Sequence, residues 1–320
     1  MKPKIYITRK IPFSIINRLE ELCDVRVWHE ADKPVPRHIL EKEIIDAVGI
    51  YCMLTETIDA DLISKAKNLK VISNMAVGYN NIDINAAREK GIIVTNTPDV
   101  LTETTADLTF SLLMATARRI VEASDYLRNG EWETWSPMQL TGQDIYGSTL
   151  GIIGMGRIGE AVARRAKGFN MDVIYHNRRR KIETENELNL KYVELDELLR
   201  KSDFVCLMVP LTSETKHLIG ERELSIMKKT SILINTARGG IVDEQALYKA
   251  LIDGEIWGAG LDVFEKEPVS LSHPLLTISN VTTLPHIGSS SIQTRLNMAE
   301  LAADNLLLVL QNKEPKFIVE

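Results

Sequence analysis

Short apolar runs rich in β-branched residues alternate along the chain with longer segments of helical periodicity. Most of these runs are continuously apolar, which is typical of parallel strands covered by helices on both faces. The predicted strands lie at residues 4–7, 25–28, 48–53, 71–73, 92–95, 149–154, 172–175, 204–208, 231–235, 260–263 and 281–284. The pattern therefore favours an α/β fold built on parallel sheets.

The strands and helices fall into two series, one before residue 100 and the other from about 149 to 286. A long apolar helix between the two series begins near Thr102 or Thr104, either of which can cap it. A second apolar helix, predicted at 296–310, closes the chain. At roughly 150 residues per domain, a chain of 320 residues predicts two domains.

Charge and cysteine content exclude several classes of protein. With 38 Lys and Arg against 44 Asp and Glu, the net charge is −6, so nucleic-acid binding is not expected. The apolar runs are too short to span a bilayer, and the N-terminus has no apolar segment typical of a secretory signal. Cys23, Cys52 and Cys206 are odd in number and widely spaced. We therefore expect reduced cysteines, no bound metal and a cytoplasmic location.

The strongest local motif is Gly154-x-Gly156-x-x-Gly159, which follows one predicted strand and opens a helix at 158–167. Gly154 permits a tight turn, Gly156 lets a pyrophosphate approach the backbone, and Gly159 lets the helix pack against the strand. The positive end of the helix dipole then faces the phosphates. With the next strand at 172–175 in place, the motif predicts a dinucleotide-binding site.

The residues after that next strand indicate which dinucleotide binds. NAD sites usually carry an Asp or Glu there, about 20 residues beyond the glycines, for the ribose hydroxyls. This chain has Asn177, Arg178 and Arg179 instead, while Glu183 and Glu185 come slightly later. Guanidinium groups bind a 2′-phosphate well, and a carboxylate would repel it. We expect these three residues to bind the cofactor and NADPH to be preferred, with NADH accepted more weakly.

Three later strands are each followed by a segment with a residue suited to catalysis: Arg238, Glu267 and His286. Each residue alone has an ordinary explanation, as a surface arginine, a loop charge or a structural histidine. In an open parallel sheet, however, ligands bind beyond the carboxyl ends of the strands. We therefore expect the three side chains to converge next to a nicotinamide site.

With these motifs in order, the chain resembles the D-isomer-specific 2-hydroxyacid dehydrogenases, and within them the glyoxylate/hydroxypyruvate reductase and 2-ketogluconate reductase branch. The resemblance covers essentially the whole chain, and the segments that carry it are 76–83, 154–159, 236–239, 260–268 and 285–288. It implies an oxidoreductase that transfers a hydride from the cofactor to a small 2-oxo acid, giving a D-2-hydroxy acid.

The resemblance also implies roles for the catalytic and substrate-binding residues. Arg238 would bind the substrate carboxylate and polarise the keto oxygen. His286 would protonate that oxygen as the hydride arrives, and Glu267 would orient His286 and favour its protonated form. Backbone N–H groups at Val77 and Gly78 would bind the carboxylate from another side.

Further contacts follow from the same resemblance. Asp262 would accept a hydrogen bond from the nicotinamide amide. Apart from the resemblance, Leu54 is a candidate to shape the substrate pocket. The cofactor contacts implied beyond the three glycines and the arginine segment are Thr105, Arg157, Ile158, Pro210, Thr215, Ala237, Asp262 and Gly288.

The implied fold is a pair of Rossmann-like or flavodoxin-like, doubly wound parallel-sheet domains with a cleft between them. A discontinuous substrate-binding domain would comprise 1–98 and 287–320, and the cofactor domain would comprise 99–286. The family further implies a homodimer formed through the 100–150 region. Trp135, in that region, is a candidate to reach the active site of the partner subunit.

Two alternatives remain open at this point. One is another member of the same family, an NAD-linked enzyme of the D-lactate or phosphoglycerate type, which the arginine segment disfavours. Formate dehydrogenases carry Gln where this chain has Glu267. The other alternative is a dinucleotide-sensing scaffold that resembles the corepressors related to this family. Such a scaffold keeps the same catalytic residues, and a test of NADPH oxidation with small 2-oxo acids separates it from a reductase.

Overall fold

The computed structural model of the protein describes residues 2–319. The strands, all paired in parallel, are β1 (Lys4–Ile7), β2 (Asp24–Val27), β3 (Gly49–Cys52), β4 (Val71–Asn74), β5 (Ile93–Thr95), β6 (Thr149–Ile153), β7 (Asp172–His176), β8 (Lys191–Tyr192), β9 (Phe204–Leu207), β10 (Ile232–Asn235), β11 (Gly258–Leu261) and β12 (Val281–Thr283).

The α-helices are α1 (Phe13–Leu22), α2 (Arg37–Ile44), α3 (Ala60–Lys65), α4 (Ile84–Glu89), α5 (Thr102–Ala117), α6 (Ile120–Arg128), α7 (Arg157–Ala166), α8 (Ile182–Leu188), α9 (Leu195–Lys201), α10 (Glu221–Ser225), α11 (Glu244–Ile252) and α12 (Ile292–Leu310). Short 3₁₀ turns lie at Lys167–Phe169, Gly239–Ile241 and Pro274–Thr277. None of the helices within residues 2–319 is both long and apolar enough to cross a membrane.

The chain divides into two compact units, so the predicted α/β fold of two parallel-sheet domains is confirmed. Unit 1 combines the chain up to Leu101 with the chain from Ser290 onward, and unit 2 is the continuous segment Thr102–Ser289. Both boundaries lie slightly C-terminal to the predicted ones, at 98/99 and 286/287.

Unit 1 is built on a sheet with the strand order β2-β1-β3-β4-β5. The closing helix α12 packs on β3 and β4 and is tied to them by hydrogen bonds. The Tyr51 hydroxyl donates to the Ala299 carbonyl (3.1 Å), and the Ser73 hydroxyl donates to the Ala302 carbonyl (2.7 Å). The last helix of the chain is therefore an integral part of the core that the first residues form.

Unit 2 is built on a sheet with the strand order β12-β11-β10-β9-β6-β7-β8. Strand order reverses between β6 and β9, which are neighbours in the sheet although β7 and β8 come between them in the chain. In open α/β sheets such a reversal leaves a crevice at the carboxyl ends of the strands, where ligands bind. The glycine motif follows β6 directly, so it lies at this reversal.

Strand β11 begins two residues before the predicted 260–263 and also ends earlier. Its first residues are Gly258, Ala259 and Gly260, which carry almost no apolar signal. At Gly260 the small size has a packing reason: a Cβ there would lie 2.7 Å from Thr116 Oγ1 and 2.8 Å from Leu112 Cγ, both on α5. The close approach of helix α5 thus favours glycine at this position, where a buried strand usually has a larger residue.

Candidate active site

The glycine motif forms the turn between β6 and α7, and two of its glycines are required by the protein itself. Gly154 has a φ of +104°, and a Cβ there would lie 2.6 Å from the Met208 carbonyl carbon. A Cβ on Gly159 would overlap the carbonyl oxygen of Gly154. These two positions therefore let the helix approach the strand closely.

Gly156 is different, because within residues 2–319 no atom beyond its chain neighbours would come within 4 Å of a Cβ placed there. Gly156 is the N-cap of the 10-residue helix α7, whose first two residues are Arg157 and Ile158. The N–H groups of this first turn point outward with the positive end of the helix dipole. A bound pyrophosphate accounts for a glycine that the protein's own packing does not need, so the residues present fit a dinucleotide.

The segment after β7 is joined to the glycine turn. Asn177 Oδ1 accepts a hydrogen bond from Met155 N (3.0 Å), and the Gly154 N–H donates to the His176 carbonyl (3.0 Å). Arg178 and Arg179 follow as exposed side chains. The structure therefore brings the predicted 2′-phosphate ligands to the same end of the sheet as the glycines.

Pro210 and Thr215 lie on the turn after β9, the strand next to β6. The Thr215 hydroxyl donates to the Pro210 carbonyl (2.6 Å) and accepts from the Thr212 N–H (2.8 Å). These bonds close the turn on itself. The two predicted cofactor contacts therefore belong to one turn at the reversal of strand order.

Asp262 is fully buried at the end of β11 and supports the segment that carries His286. Its carboxylate accepts hydrogen bonds from the N–H groups of Ile287 and Gly288, each at 2.7 Å, and its carbonyl accepts from the His286 N–H (2.9 Å). Burial raises the pKa of Asp262, although these donors oppose the rise. A Cβ on Gly288 would lie 3.5 Å from Thr105 Cγ2, so Thr105, Asp262 and Gly288 are close neighbours.

His286 and Glu267 are paired through their side chains. His286 Nδ1 lies 2.6 Å from Glu267 Oε2, while Glu267 Oε1 accepts a hydrogen bond from Phe264 N (3.0 Å). Burial raises the pKa of Glu267, but the hydrogen bond and charge of His286, the Phe264 N–H and the charge of Arg238 outweigh it. The net effect is a pKa below the ordinary glutamate value, so Glu267 is an anion at neutral pH.

Arg238 follows β10 and is oriented by a residue that sequence reasoning did not single out. The Asn235 side chain donates to the Arg238 carbonyl (2.8 Å) and accepts from the Ala237 N–H (3.1 Å). Arg238 Nη1 in turn donates to the Ala237 carbonyl (2.7 Å). Burial lowers the pKa of Arg238, and the charge of Glu267 acts in the opposite direction.

The predicted substrate contacts of unit 1 lie at the carboxyl ends of its neighbouring strands β3 and β4. Leu54 is half-buried after β3. After β4, the Asn74 side chain donates to the Gly78 carbonyl (3.0 Å), and the Asn96 side chain donates to the Val77 carbonyl (2.9 Å). Two asparagines thus fix the peptide groups of the segment in which the backbone donors were predicted.

Residues 2–319 contain no group of three or more His, Cys, Asp or Glu side chains placed to hold a metal ion. One sheet positions the catalytic candidates and the dinucleotide turn: the glycine turn, the pair His286 and Glu267, and Arg238 each follow one of its strands. Such a set suits hydride transfer to or from a carbon that bears an oxygen, with the proton handled by a side chain. The class this defines is that of the NAD(P)-dependent oxidoreductases acting on CH–OH groups.

Comparison with known proteins identifies the family within this class. Residues 110–288 match the family model described as D-isomer specific 2-hydroxyacid dehydrogenase, NAD binding domain. The chain is 52% identical over 323 residues to a glyoxylate reductase of Pyrococcus horikoshii, covering 100% of this chain and 96% of the relative. The protein therefore belongs to the D-isomer-specific 2-hydroxyacid dehydrogenase family, in agreement with the resemblance found in the sequence.

Solved structures give the same result. A protein from Thermus thermophilus has a TM-score of 0.92 and 46% identity, covering 99% of this chain and 100% of that chain. An NADPH-dependent glyoxylate/hydroxypyruvate reductase from Sinorhizobium meliloti, in complex with NADP and malonate, has a TM-score of 0.88 and 35% identity. It covers 100% of this chain and 97% of that chain. The protein is a 2-oxo acid reductase that uses a nicotinamide dinucleotide.

Proposed function

We propose that the protein is an NADPH-preferring reductase of small 2-oxo acids, with glyoxylate, hydroxypyruvate and 2-ketogluconate as substrates and D-2-hydroxy acids as products. The observation that carries the reaction is the pairing of His286 Nδ1 with Glu267 Oε2 at 2.6 Å. The observation that carries the cofactor preference is the exposed pair Arg178 and Arg179 after β7. The relative from Sinorhizobium meliloti, described as an NADPH-dependent glyoxylate/hydroxypyruvate reductase, supports both the proposed reaction and the proposed cofactor preference.

The pairing of His286 fixes which ring nitrogen handles the proton. Because Nδ1 is engaged by Glu267, the proton is delivered from Nε2. When bound, the reduced nicotinamide supplies a hydride to the keto carbon. His286 supplies the proton to the keto oxygen, and the 2-oxo acid becomes a 2-hydroxy acid.

Arg238 binds the substrate in this proposal. Its planar guanidinium presents paired donors that match a carboxylate and also polarise the neighbouring keto oxygen. Asn235 bonds the backbone on both sides of Arg238, so the position from which the Arg238 side chain extends is fixed. We assign further substrate contacts in unit 1 to Leu54, Val77 and Gly78.

The proposed cofactor contacts all lie in unit 2. Asp262 accepts two backbone N–H groups in the structure, so its proposed contact with the nicotinamide amide uses the remaining lone pairs of the carboxylate. The full proposed set is Thr105, Gly154, Gly156, Arg157, Ile158, Gly159, Asn177, Arg178, Arg179, Pro210, Thr215, Ala237, Asp262 and Gly288.

The proposal is tested by following the absorbance of reduced nicotinamide with purified protein. NADPH and NADH are compared, each with glyoxylate, hydroxypyruvate, 2-ketogluconate and pyruvate. We expect higher kcat/KM with NADPH and faster turnover of one of the first three acids than of pyruvate. Higher kcat/KM with NADH would contradict the cofactor preference. Tight NADPH binding without turnover of any of the acids would contradict the proposed substrates.

We also propose a homodimer formed through the 100–150 region. Helix α6 buries none of its residues within the chain, and Trp132 and Trp135 are 57% and 74% exposed. Apolar side chains exposed together are typical of an interface. Light scattering coupled to size exclusion should give the mass of two chains, whereas the mass of one chain would contradict the proposal. Trp135 is the proposed residue that reaches the active site of the partner subunit.

A cytoplasmic location completes the proposal. Cys23, Cys52 and Cys206 are all buried and unpaired, which suits a compartment where thiols stay reduced. Immunodetection in fractionated cells tests the location, and recovery outside the cytosolic fraction would contradict it.

A further inference from the structure

The basic segment from Arg178 to Lys181 divides into two parts that differ in their contacts. Arg180 is held by Glu185, with Nη2 2.5 Å from Oε2 and Nε 3.1 Å from Oε1. Its guanidinium also lies over the Tyr192 ring, 5.6 Å from the centroid. Lys181 Nζ lies 3.1 Å from Glu160 Oε1 on helix α7. The second half of the segment is therefore anchored to the protein.

Tyr175 completes the anchor from inside the sheet. This residue of β7 is fully buried, and its hydroxyl donates to Glu185 Oε1 (2.6 Å) and accepts from the Lys181 N–H (2.8 Å). The Glu185 carboxylate thus receives hydrogen bonds from both Tyr175 and Arg180. The hydrogen bond from Arg180, followed by that from Tyr175, lowers the pKa of Glu185. The negative charge of Glu185 therefore offsets the positive charge of Arg180.

These contacts fix the turn after β7 at both ends. At its start, Asn177 is bonded to Met155 of the glycine turn. At its end, the backbone of Lys181 is bonded to the Tyr175 hydroxyl. Only Arg178 and Arg179 lie between the Asn177 contact and the anchored pair Arg180 and Lys181. A short segment held at both ends has few backbone conformations, so the orientations of the Arg178 and Arg179 side chains are restricted.

We propose that Glu185, together with the Tyr175 hydroxyl, is a positioning residue for NADPH selectivity. It holds the turn so that Arg178 and Arg179 present their guanidinium groups to the 2′-phosphate. This inference rests on the proposed function of the two arginines. Its physical basis is preorganisation: a phosphate site held in its binding conformation loses less entropy when the ligand binds.

The test compares Glu185→Gln with the control Glu183→Gln on the same helix α8, where Glu183 is exposed. We expect Glu185→Gln to raise the KM for NADPH about tenfold, the effect of losing one charge-assisted hydrogen bond. The KM for NADH and kcat at saturating cofactor should stay within about twofold. Tyr175→Phe should shift selectivity in the same direction by a smaller factor, and Glu183→Gln should leave both KM values unchanged.

A second measurement separates positioning from general loosening of the fold. In an Arg178→Ala/Arg179→Ala background, adding Glu185→Gln should produce no further loss of NADPH affinity, because its effect passes through those arginines. A further loss in that background would overturn the inference. So would a loss that is equal for NADPH and NADH, or the absence of any change in Glu185→Gln.

The arginine variants also distinguish failure of the inference from failure of the proposed function. If Arg178→Ala/Arg179→Ala leaves the preference for NADPH over NADH unchanged, the two arginines do not bind the 2′-phosphate, and both their proposed function and this inference are overturned. If the arginine variant loses that preference and Glu185→Gln keeps it, the inference alone is overturned. Direct binding of adenosine 2′,5′-bisphosphate, with 5′-AMP as the reference, measures the same effect without turnover.

Discussion

His286 has a φ of +55°, a left-handed backbone conformation that residues other than glycine seldom adopt. Bonds within unit 2 hold it there, because Asp262 binds the N–H groups of His286, Ile287 and Gly288. Glu267 then fixes the ring at Nδ1. Both the backbone and the ring of the proposed proton donor are therefore set before any substrate arrives, which is what efficient proton transfer requires.

Replacement of this residue gives the first prediction. His286→Ala should lower kcat by about 10²–10⁴-fold, the usual contribution of general acid catalysis, while the NADPH dissociation constant stays unchanged. The matched control is His273→Ala, since His273 also pairs with a glutamate, its Nε2 lying 3.0 Å from Glu244 Oε2. Stopped-flow turnover and fluorescence titration of NADPH measure the two quantities. Turnover close to that of the unchanged protein would remove His286 from its proposed role.

The lowered pKa of Glu267 gives a second prediction, on stability against pH. Because its pKa is lower in the folded chain than in the unfolded chain, about 4.3 there, ionised Glu267 stabilises the fold above that value. The contribution is lost as the pH falls through the folded pKa. The difference in melting temperature between the unchanged protein and Glu267→Gln should therefore be largest near neutral pH and shrink below about pH 4. A difference that grows towards acid pH would contradict this sign.

At the scale of elements, the turn between β6 and α7 is a feature that the sequence alone could predict. The spacing of Gly154, Gly156 and Gly159 sufficed to predict the turn, because Gly154 and Gly159 meet local packing requirements and Gly156 leaves room for the proposed pyrophosphate. The sequence did not reveal Asn235 or Glu185, since their importance depends on bonds to specific neighbours. The two-residue strand β8 was also missed, because it is too short to show periodicity. Helix α12 starts at Ile292 and not at 296, because Ser291 caps it by accepting from the Thr294 N–H.

The different surroundings of the three glycines give a third prediction. Gly156→Ala adds a methyl group where the protein has room, so we expect NADPH affinity to fall at least about tenfold with little change in melting temperature. Gly159→Ala places its methyl group against the Gly154 carbonyl and should cost about 1–3 kcal/mol of stability. Thermal denaturation and calorimetric titration separate the two effects. Unchanged NADPH affinity in Gly156→Ala would contradict a pyrophosphate at this turn.

At the scale of the whole molecule, the main feature is that unit 2 is one continuous segment while unit 1 is not. Thr102–Ser289 contains every strand of the larger sheet, and all the proposed cofactor contacts lie within it. Unit 1 needs α12, whose carbonyls accept hydrogen bonds from Tyr51 and Ser73. The sequence indicated this return of the chain only through family resemblance, because periodicity cannot show which sheet a helix packs on.

A fourth prediction concerns the units as separate chains. Thr102–Ser289 produced alone should fold cooperatively and bind NADPH, but it should not turn over 2-oxo acids, because the substrate contacts proposed at Leu54, Val77 and Gly78 are absent. A chain that ends at Ser289 should keep the cofactor affinity of unit 2 while amides of β3 and β4 exchange rapidly with solvent. Slow exchange of those amides without α12 would contradict the role given to that helix. Calorimetry and hydrogen exchange provide the measurements.

The discontinuity of unit 1 also determines the order in which the two units can fold during synthesis at the ribosome. Domains generally fold as units while the chain emerges from its N-terminus, yet the nascent β1–β5 segment must wait for α12, which is translated only after the whole of unit 2. Unit 2 is complete as soon as Ser289 has left the exit tunnel. Unit 2, with the proposed nucleotide contacts, can therefore complete its fold first, and unit 1 acquires its full core only afterwards.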